Sequence, residues 1–335
     1  MHWLLKRVGR SVFTVISTVT LSFVMIRLIP GGPMDYLRSQ LREQNAGMSN
    51  EAINSLVASY TKVNPDRPIS EQYLSYISSV LQGDLGTSIW YNEAVSSILL
   101  EALPWTLFVM SIALALTFAI GIGLGALMAY KEGSRFDMTF STITIVFNSI
   151  PYYVLAVVFL FALAYRWQVF PTGGRIGPGV EVGPNLAFVI NAFYHATLPV
   201  LSFVITRFGF QALAMRGNSI KVLGENYLRV AEIRGLPSSR IAFNYVGRNA
   251  VLPLYTTLMI SIGTMFGGTV ILEQLFNYPG VGYYMFQAID ARDYPLMMGA
   301  FIIITMAIVA SILFADLTYG KIDPRASGGE SGETY

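Results

Sequence analysis

Long apolar runs separated by polar segments dominate this chain. A bilayer core of about 30 Å needs roughly 20 predominantly apolar residues in helical form. Six stretches meet that requirement: 11–29, 104–130, 138–164, 196–215, 250–272 and 296–315. The pattern therefore predicts an all-α membrane protein with six transmembrane helices.

The first apolar stretch follows Lys6, Arg7 and Arg10, as the apolar part of a secretory signal would. It is long for such a signal, and no cleavage site of the small-x-small type follows it. We therefore interpret residues 11–29 as a retained membrane helix.

Composition supports a membrane location, because 53% of the residues are hydrophobic and 13% are charged, against about 25% charged in an average soluble domain. The chain has no cysteine, and its only histidines are His2 and His195. Disulfides are therefore excluded, and no metal site of the Cys/His kind is expected. A net charge of +2 with scattered basic residues gives no indication of nucleic-acid binding.

The distribution of Lys and Arg predicts the orientation. If the N-terminus lies inside, thirteen of the 22 Lys and Arg residues fall on inner segments and seven on outer ones, while Arg27 and Arg207 fall within spans. Positive charge accumulates on the cytoplasmic side of membrane proteins. We therefore expect a multi-pass protein of the cytoplasmic (inner) membrane with both termini in the cytoplasm.

Between the spans, the pattern predicts four regions. Residues 1–29 are the N-terminus and first span, 30–103 an extracytoplasmic cap, 104–325 the core with the other five spans, and 326–335 a disordered tail. The cap contains two stretches with helical spacing, 49–60 and 69–82, although a solvated connection is the alternative. A second outer loop, 166–193, is rich in Gly and Pro and should be irregular.

The loop 216–248 is neither apolar enough to span a membrane nor polar enough to be disordered. Residues 219–234 suit a helix that Gly235 ends in a left-handed cap, and Pro237 suits the first position of a second helix to about 247. Ala231 and Gly235 are four residues apart and would allow another protein's backbone to approach. A docking element and a basic helix on anionic lipid both fit this composition.

Ordered motifs through the chain resemble those of ABC importer permeases, specifically the dipeptide/oligopeptide permease family. The motifs are 227–236 (YLRVAEIRGL), 248–250 with Pro253, 27–31 (RLIPG), 83–88 (GDLGTS), 103–104 with 106–107, Glu273, Phe276, Pro279, Gly280, Gly282, 292–295 (RDYP), Asp316, Tyr319 and 323–325 (DPR). The broader importer motif is Glu-Ala-Ala, three residues, then Gly, and of this only Ala231 and Gly235 are kept.

The resemblance implies a type I importer permease fold and a set of partners. These are a second homologous permease subunit, two ATP-binding subunits that hold ATP and Mg, an extracytoplasmic solute-binding protein, a peptide substrate and membrane lipids. It assigns ATPase coupling to Asn226, Tyr227, Leu228, Arg229, Ala231, Gly235, Leu236 and Pro237. It assigns binding-protein docking and an outer gate to Glu273, Phe276, Pro279, Gly280, Arg292 and Asp293.

Polar residues inside predicted spans are candidates for a translocation path. Arg207 lies in the fourth span, where a charge usually faces a partner or an aqueous cavity, unless it is close enough to an end to snorkel. Asn148 and Ser149 precede Pro151, whose missing N–H should kink the third span. The kink could open backbone groups toward a cavity, and a purely structural kink is the alternative. The pairs Gly121/Gly125 and Gly263/Gly267 indicate close helix packing.

Motifs for energy coupling and catalysis are missing from the sequence. There is no Gly-x-x-x-x-Gly-Lys-Ser/Thr loop, no Gly-x-Ser-x-Gly and no His-Glu-x-x-His. We therefore expect a non-enzymatic permease that moves dipeptides or oligopeptides, with oligosaccharides or nickel chelates as alternative substrates. A gradient-driven secondary transporter is the alternative class, although inverted repeats with interrupted helices are not evident.

Overall fold

The computed structural model describes residues 2–28, 33–45, 47–64, 67–237, 240–264 and 270–322. These residues are mainly helical, and no regular β-strand occurs among them. The helices are α1 (His2–Leu28), α2 (Pro33–Gln44), α3 (Asn50–Thr61), α4 (Ile69–Leu81), α5 (Val95–Tyr130), α6 (Arg135–Asn148), α7 (Tyr152–Phe159), α8 (Leu186–Leu223), α9 (Asn226–Ile233), α10 (Arg248–Thr264), α11 (Val270–Leu275), α12 (Val281–Asp290) and α13 (Tyr294–Ile322).

Four helices within the described ranges are long and apolar enough to cross a membrane, and a bent pair raises the number to five. The four are segments of α1, α5, α8 and α13, and the pair is α6 with α7 and the π-helix that continues it. The predicted span 250–272 coincides with α10 and the start of α11, but residues 265–269 lie outside the described chain. Six spans therefore stay a prediction.

Two membrane helices begin earlier than the apolar pattern predicts. α5 starts at Val95, nine residues before the predicted start at Pro104, because Val95, Leu99 and Ala102 are fully buried and stabilise the extra turns. α8 starts at Leu186, within the predicted loop 166–193, because the Asn185 side chain accepts the Phe188 N–H at 2.7 Å and caps the helix.

The third predicted span is broken in the middle. α6 ends at Asn148, α7 begins after Pro151, and the two parts are bent by 89°. The proline lacks the N–H that would continue the helix, so the kink expected there is confirmed. The bend is sharp enough to make two helices where the apolar pattern indicated one.

The chain divides into two compact units. The first unit, Met1–Leu107 with Phe266–Leu313, contains α2, α3 and α4, so the helices expected in the cap are confirmed and α2 is added. Apolar side chains of these three helices form one core with α1 and α13; its members include Phe23, Leu37, Val57, Tyr76 and Ile302. The region 33–81 is therefore folded, and its extracytoplasmic position stays a prediction.

In the second unit, Phe108–Met265 with Phe314–Tyr335, the helices α6, α7 and α10 each pack against α8. A Cβ added at Gly125 would lie 2.7 Å from the Cβ of Met215, and one added at Gly121 would lie 2.5 Å from the Cβ of Gln211. The close packing predicted for this glycine pair is thus confirmed, with α8 as the neighbour. The other pair, Gly263/Gly267, extends outside the described residues.

Candidate functional site

The loop between the fourth and fifth predicted spans forms two short helical segments, but with different bounds from those expected. α8 continues to Leu223, a turn follows at Gly224 and Glu225, and α9 covers Asn226–Ile233. The single helix predicted over 219–234 is therefore wrong. Glycine costs about 1 kcal/mol inside a helix relative to alanine, which favours a break at Gly224.

Gly235 ends α9 as expected. Its φ is +69°, in the left-handed region, and the Leu236 N–H donates to the Ala231 carbonyl at 3.3 Å across the cap. The Pro237 carbonyl accepts the N–H groups of Arg240 and Ile241 at 2.9 and 3.2 Å. Pro237 therefore occupies the position before a helix rather than its first turn.

The second segment does not stop near 247. A π-helix, Ile241–Gly247, is followed directly by α10, so the loop helix merges with the next apolar helix. The helical conformation continues through Gly247 into Arg248, where the π-helix is followed by α10. After α9, the chain passes through Gly235 and Pro237 to the continuous helical stretch that the π-helix and α10 form.

We call residues 224–237 the α9 segment; its side chains divide into a buried and an exposed set. Leu228 and Ala231 are each only 3% exposed, whereas Tyr227, Val230 and Ile233 are 40%, 54% and 84% exposed. The exposed three recur at i, i+3 and i+6, and therefore share one side of the helix. This spacing was available in the sequence, but Val230 and Ile233 were not singled out.

The two predicted close-contact points of the α9 segment are in different environments. Ala231 is buried within the chain, while Gly235 is exposed and a Cβ added there would meet nothing within 4 Å. Asn226, Arg229 and Pro237 are also exposed, and Leu236 is half-buried. Gly235 is therefore accessible to a partner, whereas Ala231 is not.

Hydrogen bonds attach the α9 segment to the helices beside it. The Asn249 Nδ2 donates to the Tyr227 hydroxyl at 3.2 Å and to the Tyr245 carbonyl at 2.8 Å, and the Asn218 Nδ2 donates to the Ala250 carbonyl at 3.2 Å. Through these bonds α9 is connected to α10 and, by way of α10, to α8.

An ion pair that sequence reasoning missed joins α8 to the start of α6. The Arg216 Nε and Nη2 donate to the two oxygens of the Asp137 carboxylate at 2.5 and 2.7 Å, and the Gly133 N–H donates to the same carboxylate at 3.1 Å. Asp137 is 2% exposed. Two parallel bonds give this pair a fixed geometry. No local sequence signal marks this pair, because its two residues are 79 positions apart.

Three of the residues assigned to binding-protein docking, Glu273, Gly280 and Asp293, are buried; with Thr106 and Ser88, the hydrogen-bond partners of the two carboxylates, we call them the capping cluster. The Thr106 hydroxyl donates to Glu273 at 2.7 Å, and Glu273 accepts the Tyr283 N–H at 2.9 Å. Thr106 also accepts the Val281 N–H at 2.9 Å. Because Gly280 offers α12 no capping side chain, Glu273 and Thr106 satisfy the free N–H groups of this helix.

Asp293 caps the N-terminus of α13 in a similar way. It accepts the Ser88 hydroxyl at 2.5 Å, the Trp90 N–H at 3.0 Å and the Leu296 N–H at 3.2 Å. Burial raises the pKa of nearby Tyr91 to about 12, with Tyr283, Tyr284 and Asp293 adding to the effect. The Tyr91 hydroxyl therefore stays protonated at a pH at which a free tyrosine, with a pKa of about 10, ionises.

Only one of the six residues assigned to docking is exposed. Glu273 and Asp293 are each 1% exposed, Phe276 is 2% exposed, Gly280 is buried and Pro279 is half-buried. Arg292 is exposed, with its guanidinium 5.5 Å from the ring centroid of Tyr36. Docking by these residues stays a prediction, and their observed contacts are internal.

The three residues assigned to a translocation path belong to the second unit and are all exposed. Arg207 lies within α8, and its guanidinium carbon is 5.8 Å from the ring centroid of Phe203. The ring centroid of Phe203 in turn lies 6.0 Å from that of Tyr152. Tyr152 is the first residue of α7, directly after the break between α6 and α7. Asn148 and Ser149 are at that break.

Comparison with known proteins identifies the family. Residues 121–328 match the family described as "Binding-protein-dependent transport system inner membrane component". The chain is 29% identical over 341 residues to the dipeptide transport system permease protein DppB of Escherichia coli strain K12, with 97% of this chain and 98% of that protein covered. It is 28% identical over 340 residues to the di/tripeptide transport system permease protein DppB of Pseudomonas aeruginosa strain UCBPP-PA14, with the same coverage.

A third relative, the dipeptide transport system permease protein DppB of Bacillus subtilis strain 168, is 26% identical over 325 residues, covering 97% of each chain. The family match includes α6 to α13 and the whole α9 segment. Because it spans more than half of the chain, this protein belongs to the family of inner membrane components of binding-protein-dependent transport systems.

Proposed function

We propose that the chain is the pore-forming permease subunit of an ATP-driven importer that moves dipeptides or oligopeptides across the cytoplasmic membrane. Family membership and the full-length similarity to dipeptide and di/tripeptide permeases support this function. The same names favour a peptide over an oligosaccharide or a nickel chelate. The sequence has no phosphate-binding loop, so ATP and Mg would be bound by separate subunits.

The complete importer would contain a second homologous permease, two ATP-binding subunits and an extracytoplasmic binding protein. In this arrangement both termini and the α9 segment face the cytoplasm, six helices cross the membrane, and residues 30–103 form the outer cap. The exposed Arg292 belongs to the same unit as the cap and is the docking candidate that a binding protein could reach.

The observation that carries the proposal is the exposed apolar side of α9. Tyr227, Val230 and Ile233 expose apolar surface on a short helix whose opposite side is buried. Exposed apolar patches of this kind indicate a protein-binding site or membrane contact. A folded helix attached to two long helices suits an ATPase partner, because a push on α9 displaces those helices.

Contacts within the second unit could transmit a displacement of α9 to the membrane helices. From α9, hydrogen bonds through Asn249 lead to α10, and the bond from Asn218 leads to α8. The Asp137–Arg216 pair then connects α8 to α6, which ends at the 89° bend. We infer that ATPase closure moves these helices together and changes access at the bend.

A transport assay tests this role of α9. With the permease pair, the ATPase subunits and the binding protein in proteoliposomes, Ile233→Asp should lower ATP-dependent peptide uptake by at least tenfold, because a charge replaces an apolar contact in the interface. Gly235→Trp should uncouple ATP hydrolysis from uptake. Both rates are measured on the same preparation.

The matched control is Val182→Asp, which places the same charge at an exposed apolar residue in the loop before α8. This variant should transport as the unchanged protein does. Wild-type uptake for Ile233→Asp would overturn the coupling role of α9, and wild-type uptake without nucleotide or ATPase subunits would overturn the importer function itself.

A further inference from the structure

The depth of Arg207 follows from the geometry of α8. Arg207 is nine residues before Arg216, so at 1.5 Å per residue it lies about 14 Å along the helix from the Asp137–Arg216 pair. That pair is next to the polar turn 131–134, which precedes α6. With a hydrocarbon core of about 30 Å, Arg207 is close to the middle of the membrane.

The break between α6 and α7 lies at a similar depth. A Cβ added at Gly209 of α8 would lie 2.6 Å from the Thr144 carbonyl oxygen of α6, so the two backbones approach closely there. Thr144 and Gly209 are each seven residues from Asp137 and Arg216, respectively. The helices therefore run antiparallel in register, and the break after Asn148 is about one turn beyond the level of Arg207.

A lipid environment does not suit this group of residues. Arg207 is exposed and has no carboxylate within ion-pair distance among the described residues. The exposed Asn148 amide makes no hydrogen bond within that part of the chain. A charged side chain at the membrane centre costs at least about 2.5 kcal/mol, and snorkelling is a solution for helix ends.

The break in the helix between α6 and α7 is a second, independent indication that this region does not face lipid. Non-helical backbone at membrane depth is found where it is buried in protein or lines a water-filled cavity, because lipid offers no hydrogen bonds. At the bend, the N–H groups of Ser149 and Ile150 donate within the chain at 3.1 Å each, while the side chains of Asn148 and Ser149 are exposed. These exposed polar residues favour water, substrate or another subunit, rather than lipid, beside the bend. The rings of Tyr152 and Phe203 connect it to Arg207, with the ring centroids 6.0 Å apart.

We propose that Arg207 recognises the C-terminal carboxylate of the peptide during translocation, with Phe203 and Tyr152 as an aromatic wall and Asn148 as a polar contact. The inference rests on the proposed importer function and assigns a substrate subsite to this chain. A guanidinium matches a carboxylate through two parallel hydrogen bonds. Every linear peptide with an unmodified end carries that group, whatever its side chains.

Paired substrates test the subsite in the reconstituted importer. ATP-dependent uptake of a dipeptide and of its C-terminal amide is measured for the unchanged protein and for Arg207→Gln. We expect the variant to lower the ratio of acid to amide uptake by at least fivefold while amide uptake stays within twofold. The binding protein is the same in both assemblies, so its own preference for the carboxylate cancels between them.

Two further variants keep the test decisive. Arg207→Lys retains the charge without the planar fork and should lower the ratio by a smaller factor, about twofold to threefold. Arg166→Gln removes an exposed arginine from the end of the π-helix after α7 and should leave the ratio unchanged.

Two outcomes would overturn the subsite. An unchanged ratio in both Arg207 variants would show that the carboxylate is not recognised there. Equal loss of both substrates together with failed co-purification of the second permease would show that Arg207 pairs with that subunit instead. Absence of any ATP-dependent uptake by the unchanged protein would contradict the importer function, which is a different result.

Discussion

The α9 segment and the capping cluster both contain short motifs, yet the structure uses them in opposite ways. α9 leaves Tyr227, Val230 and Ile233 exposed while Leu228 and Ala231 hold it to the chain. The capping cluster buries Glu273 and Asp293 almost completely and uses both carboxylates to cap helices. The exposed side of α9 is therefore accessible to a partner, whereas the observed contacts of the two capping-cluster carboxylates are internal.

The largest expected effect tests the structural role of the capping cluster. Glu273→Ala removes an acceptor from Thr106 and from the Tyr283 N–H and leaves both buried groups without it. We expect a loss of about 3 kcal/mol in the free energy of unfolding, seen as a lower thermal transition of the purified protein. Glu181→Ala, at an exposed position, is the control and should melt as the unchanged protein does.

A smaller loss is expected from crowding in the same cluster. A Cβ at Gly280 would lie 2.5 Å from the Glu273 carboxylate, so Gly280→Ala forces a shift costing about 1 to 3 kcal/mol. Gly123→Ala in α5 meets nothing within 4 Å and should not destabilise the protein. If both variants melt at the same temperature, the close packing at Gly280 is contradicted.

The smallest effect concerns the attachment of α9. Asn249→Ala removes the hydrogen bonds to the Tyr227 hydroxyl and the Tyr245 carbonyl, which are exposed and part-buried, respectively, and are therefore each worth only about 0.5 kcal/mol. Thermal stability should change little, while peptide uptake per ATP hydrolysed should fall about twofold to fivefold. A fall in stability without a change in this ratio would show that the bonds serve folding alone.

The apolar pattern was sufficient to predict the helical fold class, and Gly235 and Pro151 were sufficient to predict a helix end and a kink. The glycine has the positive φ expected of a helix terminator, and the proline lacks an N–H. These are local properties of one residue and its neighbours. For that reason they can be read from the sequence.

Burial depended on partners far away in the chain and was therefore not predictable. Glu273 meets Thr106 across 167 positions, and Asp293 meets Ser88 across 205. The sequence around each carboxylate does not indicate these internal partners. Gly224 was missed for another reason, since a helix tolerates one glycine and only the surrounding packing decides whether it breaks.

Cross-linking tests the central claim, that the exposed side of α9 contacts an ATPase subunit. The sequence contains no cysteine, so single cysteines can be introduced without removing others. With a cysteine-reactive photo-cross-linker, Ile233→Cys should cross-link to the ATPase subunit in the assembled importer, and the buried Leu228→Cys should not. No product from position 233, or an equal yield from Val182→Cys, would contradict the claim.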